Sequence, residues 1–377
     1  MDIIFYDFEF NRLGDFPKPI SQNIERCYCG FGCAELHFDI CRQDLIRLLE
    51  DNEYLFFTSE SGSAIVTGWQ IGEDIAVYGR TPEWLLTKRG VKNLSVTNST
   101  AEQIARTAVE SVSDFVALGE ASGIGEVMDY STEGVRTLYD VVCEVLKTQS
   151  LGFEVVPDIS AKQFVFCVYQ GNTSLCVFSP SNRTAYNMTY LVENQSAVTN
   201  SGWYERRFKD MGDWDANSNS PSLLNNQADN AYTFYKITSS GTTSRFGLSC
   251  NQGAYLYCDN TQGTWKISNT KPDTIWLYID GSGETGLKKW EAVLKGVKTE
   301  DEANAEISQM TRCETVDCEV YRLEYGKDYQ LGDIVRVQPE FGDFKKTESK
   351  KVASVNIYYD TDKSGVCPKL ESMELTI

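Results

Sequence analysis

The sequence contains a single histidine, His37, among 377 residues. A metal centre built from several imidazoles is therefore excluded, and a Ser-His-Asp or Cys-His catalytic site could use only this residue. The chain also lacks the G-x-x-x-x-G-K-[ST] phosphate loop, the H-E-x-x-H zinc helix and the G-x-S-x-G nucleophile turn. These absences remove a large part of recognisable enzyme chemistry.

Long apolar runs are also missing. No stretch approaches the roughly 18 unbroken apolar residues that a membrane span needs. Residues 1–10 alternate charged and aromatic side chains without a cationic segment, which predicts a strand rather than a secretory signal. We therefore expect a soluble chain, synthesised in a cytoplasm, with no membrane insertion.

Twelve cysteines are spread along the chain, and without an export signal they are expected to be reduced. Cys27, Cys29, Cys33 and Cys41 surround His37, with gaps of one, three and seven residues between the cysteines. Zinc modules usually pair ligands as C-x2-C or C-x4-C. The spacing favours scattered strand cysteines over a zinc site, and His37 is interpreted as a strand residue. No cofactor is predicted.

The composition is that of a folded, acidic protein. Hydrophobic residues make up 41% of the chain and aromatic residues 12%, enough for a sizeable core, and the length predicts two to three domains. Lys and Arg total 35 against 54 Asp and Glu, so the formal net charge is −19. Such an excess argues against a protein that grips phosphate backbones through a basic face.

Periodicity predicts mostly strands with a few helices. A glycine turn at 30–32 and a turn at 72–74 indicate hairpins, and Thr100 with Gln103 forms a capping box. Helices are predicted over 42–51, 100–112, 134–148 and 299–310. Strands are predicted over 64–69, 75–78, 153–156, 163–169, 320–324, 334–338 and 351–359. Residues 194–269, rich in Asn, Ser, Thr, Gly and aromatics, indicate a small all-β unit.

Two kinds of site are candidates within that unit. Asp213 and Asp215, beside Trp214, could form a glycosidase-type carboxylate pair, but 54 acidic residues supply many accidental pairs. The aromatic side chains could contact a glycan or a partner, since exposed rings stack on sugar faces. The candidates are Trp203, Trp214, Tyr255, Tyr257 and Trp265. Filling the core of the small unit is the favoured role for most of its aromatic residues.

A series of short segments lies in a characteristic order over nearly the whole chain. The segments are residues 8–14, 32–37, 77–80 with Leu85 and Arg89, 151–155, 286–289 and, most specific, 325–337 (YGKDYQLGDIVRV). Their order resembles the gene-37-like tail proteins of siphophages infecting Gram-positive hosts. That family is related to baseplate hubs and to the N-terminal part of tail-associated lysins. The cysteines at 27, 29 and 33 depart from its pattern.

The region rich in Asn, Ser, Thr, Gly and aromatic residues has a resemblance of its own. Residues 212–223 contain Trp-Asp-Ala with an Asn/Pro turn, 232–242 form a Tyr-rich strand ending in Gly-Thr, and 263–267 contain a closing Trp-Lys strand. This arrangement is similar to a small β module common in phage tail fibres. A module of about 70 residues is tolerated as an insertion where both of its ends reach the surface.

The resemblance implies a mainly β fold with minor α. It implies a first tube-like β-barrel domain at 1–90, a helical α+β flank at 91–150, a second barrel at 151–200 and 276–377, and the inserted β module at 201–275. Three chains would form a ring, a homotrimer that adapts a sixfold tail tube to a threefold tip.

The same resemblance implies a non-enzymatic part of a virion, made in the bacterial host cytoplasm. Its partners would be the distal tail protein, the tail tube and the tip or fibre proteins. DNA would pass through the ring without specific binding, as a negative lumen repels phosphates. The alternative is a host-surface, carbohydrate-binding adhesin that acts through residues 201–275.

Overall fold

The computed structural model describes residues 2–17, 19–112, 116–132, 134–193, 199–243, 246–281, 283–294, 296–309 and 313–372. Two compact units divide the chain: unit 1 comprises Met1–Val192 and Glu314–Ile377, and unit 2 comprises Glu193–Cys313. No helix in the described ranges is long and apolar enough to cross a membrane.

Strands make up most of the regular structure. The first sixteen are β1 (Asp2–Asp7), β2 (Arg12–Pro17), β3 (Ser21–Cys27), β4 (Cys33–Phe38), β5 (Leu55–Ser59), β6 (Gly62–Ile71), β7 (Ile75–Arg80), β8 (Gly90–Lys92), β9 (Ser95–Thr100), β10 (Ala117–Leu118), β11 (Val127–Ser131), β12 (Val135–Thr137), β13 (Gly152–Asp158), β14 (Gln163–Tyr169), β15 (Thr173–Phe178) and β16 (Ala185–Glu193). Those that follow are β17 (Ser201–Arg207), β18 (Lys209–Asp215), β19 (Thr233–Ser239), β20 (Gly241–Thr243), β21 (Leu248–Cys250), β22 (Tyr255–Cys258), β23 (Lys266–Ser268), β24 (Thr274–Asp280) and β25 (Glu291–Leu294). The last are β26 (Cys313–Val320), β27 (Ile334–Val337), β28 (Glu340–Phe341), β29 (Phe344–Lys345), β30 (Glu348–Asp360) and β31 (Ser364–Ser372).

The α-helices are α1 (Gln43–Asp51), α2 (Ala101–Glu110), α3 (Leu138–Lys147) and α4 (Glu300–Gln309), with 3-10 segments at Pro82–Lys88, Ala228–Asn230 and Gly286–Lys288. The fold is mainly β with minor α, as predicted.

Unit 1 is organised around a 13-stranded sheet in the order β16-β26-β31-β30-β3-β4-β7-β6-β5-β1-β2, with β27 paired to both β15 and β30. The antiparallel pair β3 and β30 joins strands from the two ends of the chain. Tube-like β-barrel domains were predicted, and among the described residues the strand order is an open path with no closed barrel. The pairing of β3 with β30 makes the strands of both predicted barrels part of one continuous sheet.

Three apolar clusters fill unit 1. The first lies under α1, which buries Leu45 and Leu49 against strand residues such as Phe5, Leu36 and Phe57. The second, here called the helix cluster, contains the apolar faces of α2 and α3 and residues of β13 and β14. The third joins residues of the C-terminal strands, including Val316, Val335, Val352 and Leu370. Burial of these faces supplies the main driving force for the fold.

The helices of unit 1 follow local signals. The capping box is present: Thr100 Oγ1 accepts from the Gln103 amide at 3.2 Å, and Gln103 Oε1 accepts from the Thr100 amide at 2.9 Å. The predicted helix over 134–148 begins later, at Leu138, because β12 pairs with the distant β8 and Thr137 caps the helix. That pairing lies outside what helical periodicity can detect.

Two more predictions are corrected in the C-terminal part. The strand predicted at 320–324 ends at Val320, and Arg322 has a φ of +65°, a conformation that strands do not use. The chain does not end its regular structure with β30. It continues into β31, which pairs with β30 and was not predicted because its sequence is polar and contains Pro368.

Unit 2 contains two principal sheets. One has the order β24-β17-β25 and packs α4 on one face through Tyr204, Ile279, Leu294, Ala303 and Ile307. The other has the order β18-β19-β22-β23, with a core around Trp214, Leu256 and Trp265. The sequence predicted an insert at residues 201–275, whereas the compact unit in the structure spans 193–313.

Candidate functional site

The five aromatic candidates occupy different environments. Trp214 is fully buried and Trp265 is 3% exposed, and both rings fill the core of the four-stranded sheet. Tyr255 and Tyr257 are half-buried on β22 and pack edge-on against Phe234 and Phe208 respectively. Trp203 is 40% exposed. The two buried indoles therefore have a core role and present no ring face to a ligand, which leaves Trp203 as the most accessible ring.

Trp203 lies on the outer face of the β24-β17-β25 sheet. Its neighbours in register are Tyr278 on β24 and Val293 on β25, and the Trp203 and Tyr278 ring centroids are 4.9 Å apart. Trp276, two residues before Tyr278, shares this face and is 48% exposed. We call this set, Trp203, Trp276, Tyr278 and Val293, the aromatic face. The alternation of Trp276 and Tyr278 in β24 was the signal for this face that the sequence interpretation missed.

Charged groups border the aromatic face. The Trp203 indole Nε1 donates to Glu291 Oε2 at 3.4 Å, and the Lys289 ammonium lies 4.5 Å from the Tyr278 ring centroid. Lys289 also approaches Asp280 and Glu291 at 3.7 and 3.9 Å. Flat rings beside carboxylate and ammonium groups suit a sugar, whose CH face stacks on indole while its hydroxyls bond to charged groups.

The candidate carboxylate pair does not have the character of an acid and base pair. Asp215 accepts hydrogen bonds from Ser239 Oγ, from Ser218 Oγ at 2.7 Å and from the Asn217 amide at 2.9 Å. These bonds, that from Ser239 foremost, lower the pKa of Asp215 to about 2. A glycosidase acid needs a raised pKa, so Asp215 is better explained as the organiser of its own turn. Asp213 is exposed.

His37 is held between two carboxylates. Its Nδ1 is 2.7 Å from Asp74 Oδ2 and its Nε2 is 2.9 Å from Glu35 Oε1. Burial alone would lower the pKa of His37, but the hydrogen bonds to Asp74 and Glu35 raise it. Both ring nitrogens are engaged by carboxylate oxygens, so the surroundings favour the protonated ring and leave neither nitrogen open to a metal ion. The described residues contain no group of three or more His, Cys, Asp or Glu that could hold a metal ion.

A large cleft in unit 1 combines aromatic walls with basic side chains. It encloses about 850 Å³. Phe8, Phe10, Tyr54, Trp84 and Phe164 contribute rings, and Lys88, Arg89 and Lys162 contribute cations. Lys88 lies 4.0 Å from the centroid of Trp84. Glu53 is the acidic residue among the lining side chains, so the three cations outnumber it, and the cleft suits an acidic segment with an aromatic or aliphatic anchor.

Comparison with solved structures finds two tail proteins whose folds are similar to that of this chain. A 43 kDa tail protein of prophage MuSo2 from Shewanella oneidensis matches 100% of this chain over 99% of its own, with a TM-score of 0.54 and 12% identity. A tail protein from Neisseria meningitidis MC58 matches 98% of this chain over 96% of its own, with a TM-score of 0.51 and 9% identity. No family model and no curated protein matches the sequence.

At such low identity the likeness establishes a shared fold. It covers both chains almost from end to end, so unit 2 lies within the matched length as well as unit 1. The finer resemblance to gene-37-like proteins and the tail-fibre-like character of the insert remain predictions.

Proposed function

We propose that the chain is a structural component of a phage tail tip, a baseplate hub whose three copies form a ring. The observation that carries this proposal is the match of a tail protein to 100% of the chain over 99% of its own length. A closed threefold ring uses a heterologous interface, in which one surface of each copy meets a different surface of the next. The aromatic and basic cleft is a surface of this kind, offering both apolar area and charge to a neighbouring tail protein.

The ring is tested by the mass of the full-length protein in solution. A trimer has a mass of about 127 kDa, three times the 42.4 kDa chain. Light scattering over a range of concentrations should reach that value, and a constant mass of one chain would contradict a self-assembled trimer. The tail role is tested separately, by immunogold labelling of assembled particles. Label confined to the tail tip supports it, and unlabelled tails overturn it.

The passage of DNA without binding follows from the acidic balance of the ring. Phosphates are repelled by a negative surface, and the repulsion weakens as salt screens it. The full-length protein should therefore fail to shift duplex DNA in a gel at low salt, where electrostatic binding is strongest. A shift at low salt that disappears at high salt would indicate a basic DNA-binding surface and contradict this part of the proposal.

The aromatic face favours a second role, binding of a host-surface glycan. Alanine substitution of both Trp203 and Trp276 should abolish retention on purified cell-wall polysaccharide, since each ring supplies a stacking surface. Tyr321→Ala, which removes a ring that is 54% exposed in unit 1 and lies outside the cleft, is the matched control. No retention of the wild-type protein on any cell-wall glycan would leave the aromatic face as a protein contact.

A further inference from the structure

A short hairpin in unit 1 presents two aromatic rings to solvent. We call residues 340–345, which form β28, β29 and the turn Gly342-Asp343 between them, the Phe hairpin. Gly342 has a φ of +60°, which suits glycine at the first position of a two-residue turn. Phe341 and Phe344 are directly opposite in the strand pair and so share a face. Their ring centroids are 6.2 Å apart, and the side chains are 43% and 40% exposed.

The Phe hairpin carries a net negative charge. Glu340 and Lys345 have opposite charges and approach each other at 3.8 Å. The remaining charge belongs to Asp343, an exposed residue of the turn. The hairpin therefore combines two apolar rings with an exposed carboxylate, which is the chemistry that the aromatic and basic cleft suits.

The base of the Phe hairpin is held near one end of the large sheet. Ser181 Oγ donates to Glu340 Oε2 at 2.7 Å, and the Phe344 ring centroid is 5.2 Å from that of Tyr190 on β16. Strand β6, which contributes residues 65–67 to the cleft, is separated from β16 by six strands: β26, β31, β30, β3, β4 and β7. The hairpin and the cleft therefore lie on separate parts of unit 1, as the two surfaces of a heterologous interface do.

The cleft presents rings and cations that complement the hairpin. Its volume of about 850 Å³ lies in the range of about 300–1,000 Å³ that is typical of sites enclosing a small ligand. The ring centroid of Phe164 is 5.1 Å from that of Phe10 and 6.4 Å from that of Phe8. Lys162 donates to Asn11 Oδ1 at 3.3 Å, and because an ammonium has three donors, others remain for a carboxylate.

We propose that the Phe hairpin of one copy docks in the aromatic and basic cleft of the next copy, and that this contact closes the threefold ring. Phe341 and Phe344 pack among the phenylalanines of the cleft, and Asp343 pairs with Lys88 or Lys162. The inference rests on the proposed ring and names the two surfaces that meet in it. Each copy offers one hairpin and one cleft, so three contacts in a closed ring satisfy all of them.

The docking is tested by carbodiimide cross-linking of the full-length protein, which joins a carboxylate directly to a lysine. A ring assembled from isotope-labelled and unlabelled chains should yield a peptide pair that joins Asp343 to Lys88 or Lys162, with one heavy and one light member. Glu314 and Lys346, 3.4 Å apart in one chain, supply the control, because their cross-link should join peptides of the same label only. This measurement needs no variant.

Charge reversal gives a second test, with the mass in solution as its readout. Asp343→Lys places a cation against the cleft and should raise the concentration at half-assembly about tenfold, since like charges at an interface oppose binding. Adding Lys88→Glu and Lys162→Glu to the same chain restores opposite charges and should recover most of the assembly. Glu73→Lys makes the same change of charge at the exposed turn between β6 and β7, and it should leave the assembly unchanged.

The possible failures separate the docking from the ring. A trimer that persists unchanged in Asp343→Lys, or in which Asp343 forms no cross-link to a cleft lysine of another chain, would overturn the docking and leave the ring supported. A wild-type protein that stays a single chain at every concentration contradicts both. Labelling of the tail tip in assembled particles still tests the tail role in either case.

Discussion

Unit 1 and unit 2 are both β-rich, but they are stabilised differently. Unit 1 contains a 13-stranded sheet, a 13-residue strand at β30 and three apolar clusters. The sheets of unit 2 have two to four strands, and its larger core is built around the indoles of Trp214 and Trp265. A small unit has less area to bury, so a few large rings carry a greater share of its stability.

In unit 2, polar side chains supply hydrogen bonds that hold the loops around the buried indoles. Asn219 Oδ1 accepts from the Trp214 indole at 3.0 Å and from the Leu223 amide at 3.1 Å. Asn225 Oδ1 accepts from the Trp265 amide at 3.0 Å, and the Trp265 indole donates to the Leu224 carbonyl at 3.0 Å. The Asn-rich sequence of this region is thus explained by loops that hold buried rings. Stability should be concentrated at few residues in unit 2 and distributed in unit 1.

The largest effect is expected from Trp214→Ala. The side chain is fully buried, so its removal should cost about 3–5 kcal/mol, through the lost apolar area, the cavity and the unpaired Asn219. Hydrogen exchange followed by mass spectrometry should show fast exchange across β18, β19 and β22 with unit 1 still protected.

Trp214→Phe is the matched control, because it keeps an aromatic ring and loses the indole donor. It should retain most of the protection. Equal loss of protection in both units after Trp214→Ala would contradict the comparison, since it would mean that the two units unfold as one.

In unit 1, a large effect on stability is expected at Lys350, a charged side chain that is only 1% exposed. Its ammonium donates to the Glu314 carbonyl at 3.0 Å and to Ser372 Oγ at 3.1 Å, and pairs with Glu348 at 3.2 Å. Lys350→Met should cost about 3 kcal/mol, because it removes one partner of a buried ion pair. Urea unfolding monitored by exchange in β30 and β31 measures the cost.

Lys345→Met serves as the control for Lys350→Met. Lys345 is an exposed lysine that pairs with Glu340 at 3.8 Å. A surface ion pair contributes little, so this change should stay within about 0.5 kcal/mol of the wild type. A similar cost for both variants would show that the burial of Lys350 has no energetic consequence.

The local features of this fold could be predicted from the sequence, and the non-local ones could not. The capping box at Thr100, the turn at 72–74 and the strand Gln163–Tyr169 depend on adjacent residues and are all present. Val135 was placed in a helix because its strand partner is about 40 residues away in β8. Pairing of β3 with β30 crosses most of the chain, and nothing in either strand identifies its partner.

The candidate site shows the same division between local features, which the sequence predicted, and non-local features, which it did not. The sequence indicated that aromatic residues near 203–265 matter, and five of them were named. Which rings are buried depends on sheet partners, however: Trp203 lies beside Tyr278 only because β17 pairs with β24, some 70 residues later. Trp276 was missed for that reason.

A smaller effect is expected from Thr100→Ala, which removes the cap of α2. The loss of the hydrogen bond to the Gln103 amide should cost about 1 kcal/mol and fall on the helix cluster of unit 1. Thr100→Ser keeps the hydroxyl and should be close to the wild type. The measurement is the urea midpoint followed by circular dichroism at 222 nm, where helices dominate. An unchanged midpoint for Thr100→Ala would show that packing alone holds the start of α2.

The smallest effect is expected from His37. Because unit 2 contains no histidine, the titration of His37 should change the stability of unit 1 and leave that of unit 2 unchanged. The pKa of His37 is raised in the folded state by Asp74 and Glu35. Its contribution is therefore complete below the unfolded pKa of about 6.5 and is lost as pH rises through the higher folded value. The partner side chains are 35% and 45% exposed, so solvent screening limits the contribution to about 1 kcal/mol or less.

Between pH 6 and pH 9 the stability of unit 1 should fall in the wild type relative to His37→Gln, while exchange in unit 2 shows no difference between the two proteins. A pH-dependent difference that appears in unit 2 instead would mean that the units are energetically coupled. The stability of the protein would then have to be described for one cooperative molecule, without the contrast between concentrated stability in unit 2 and distributed stability in unit 1.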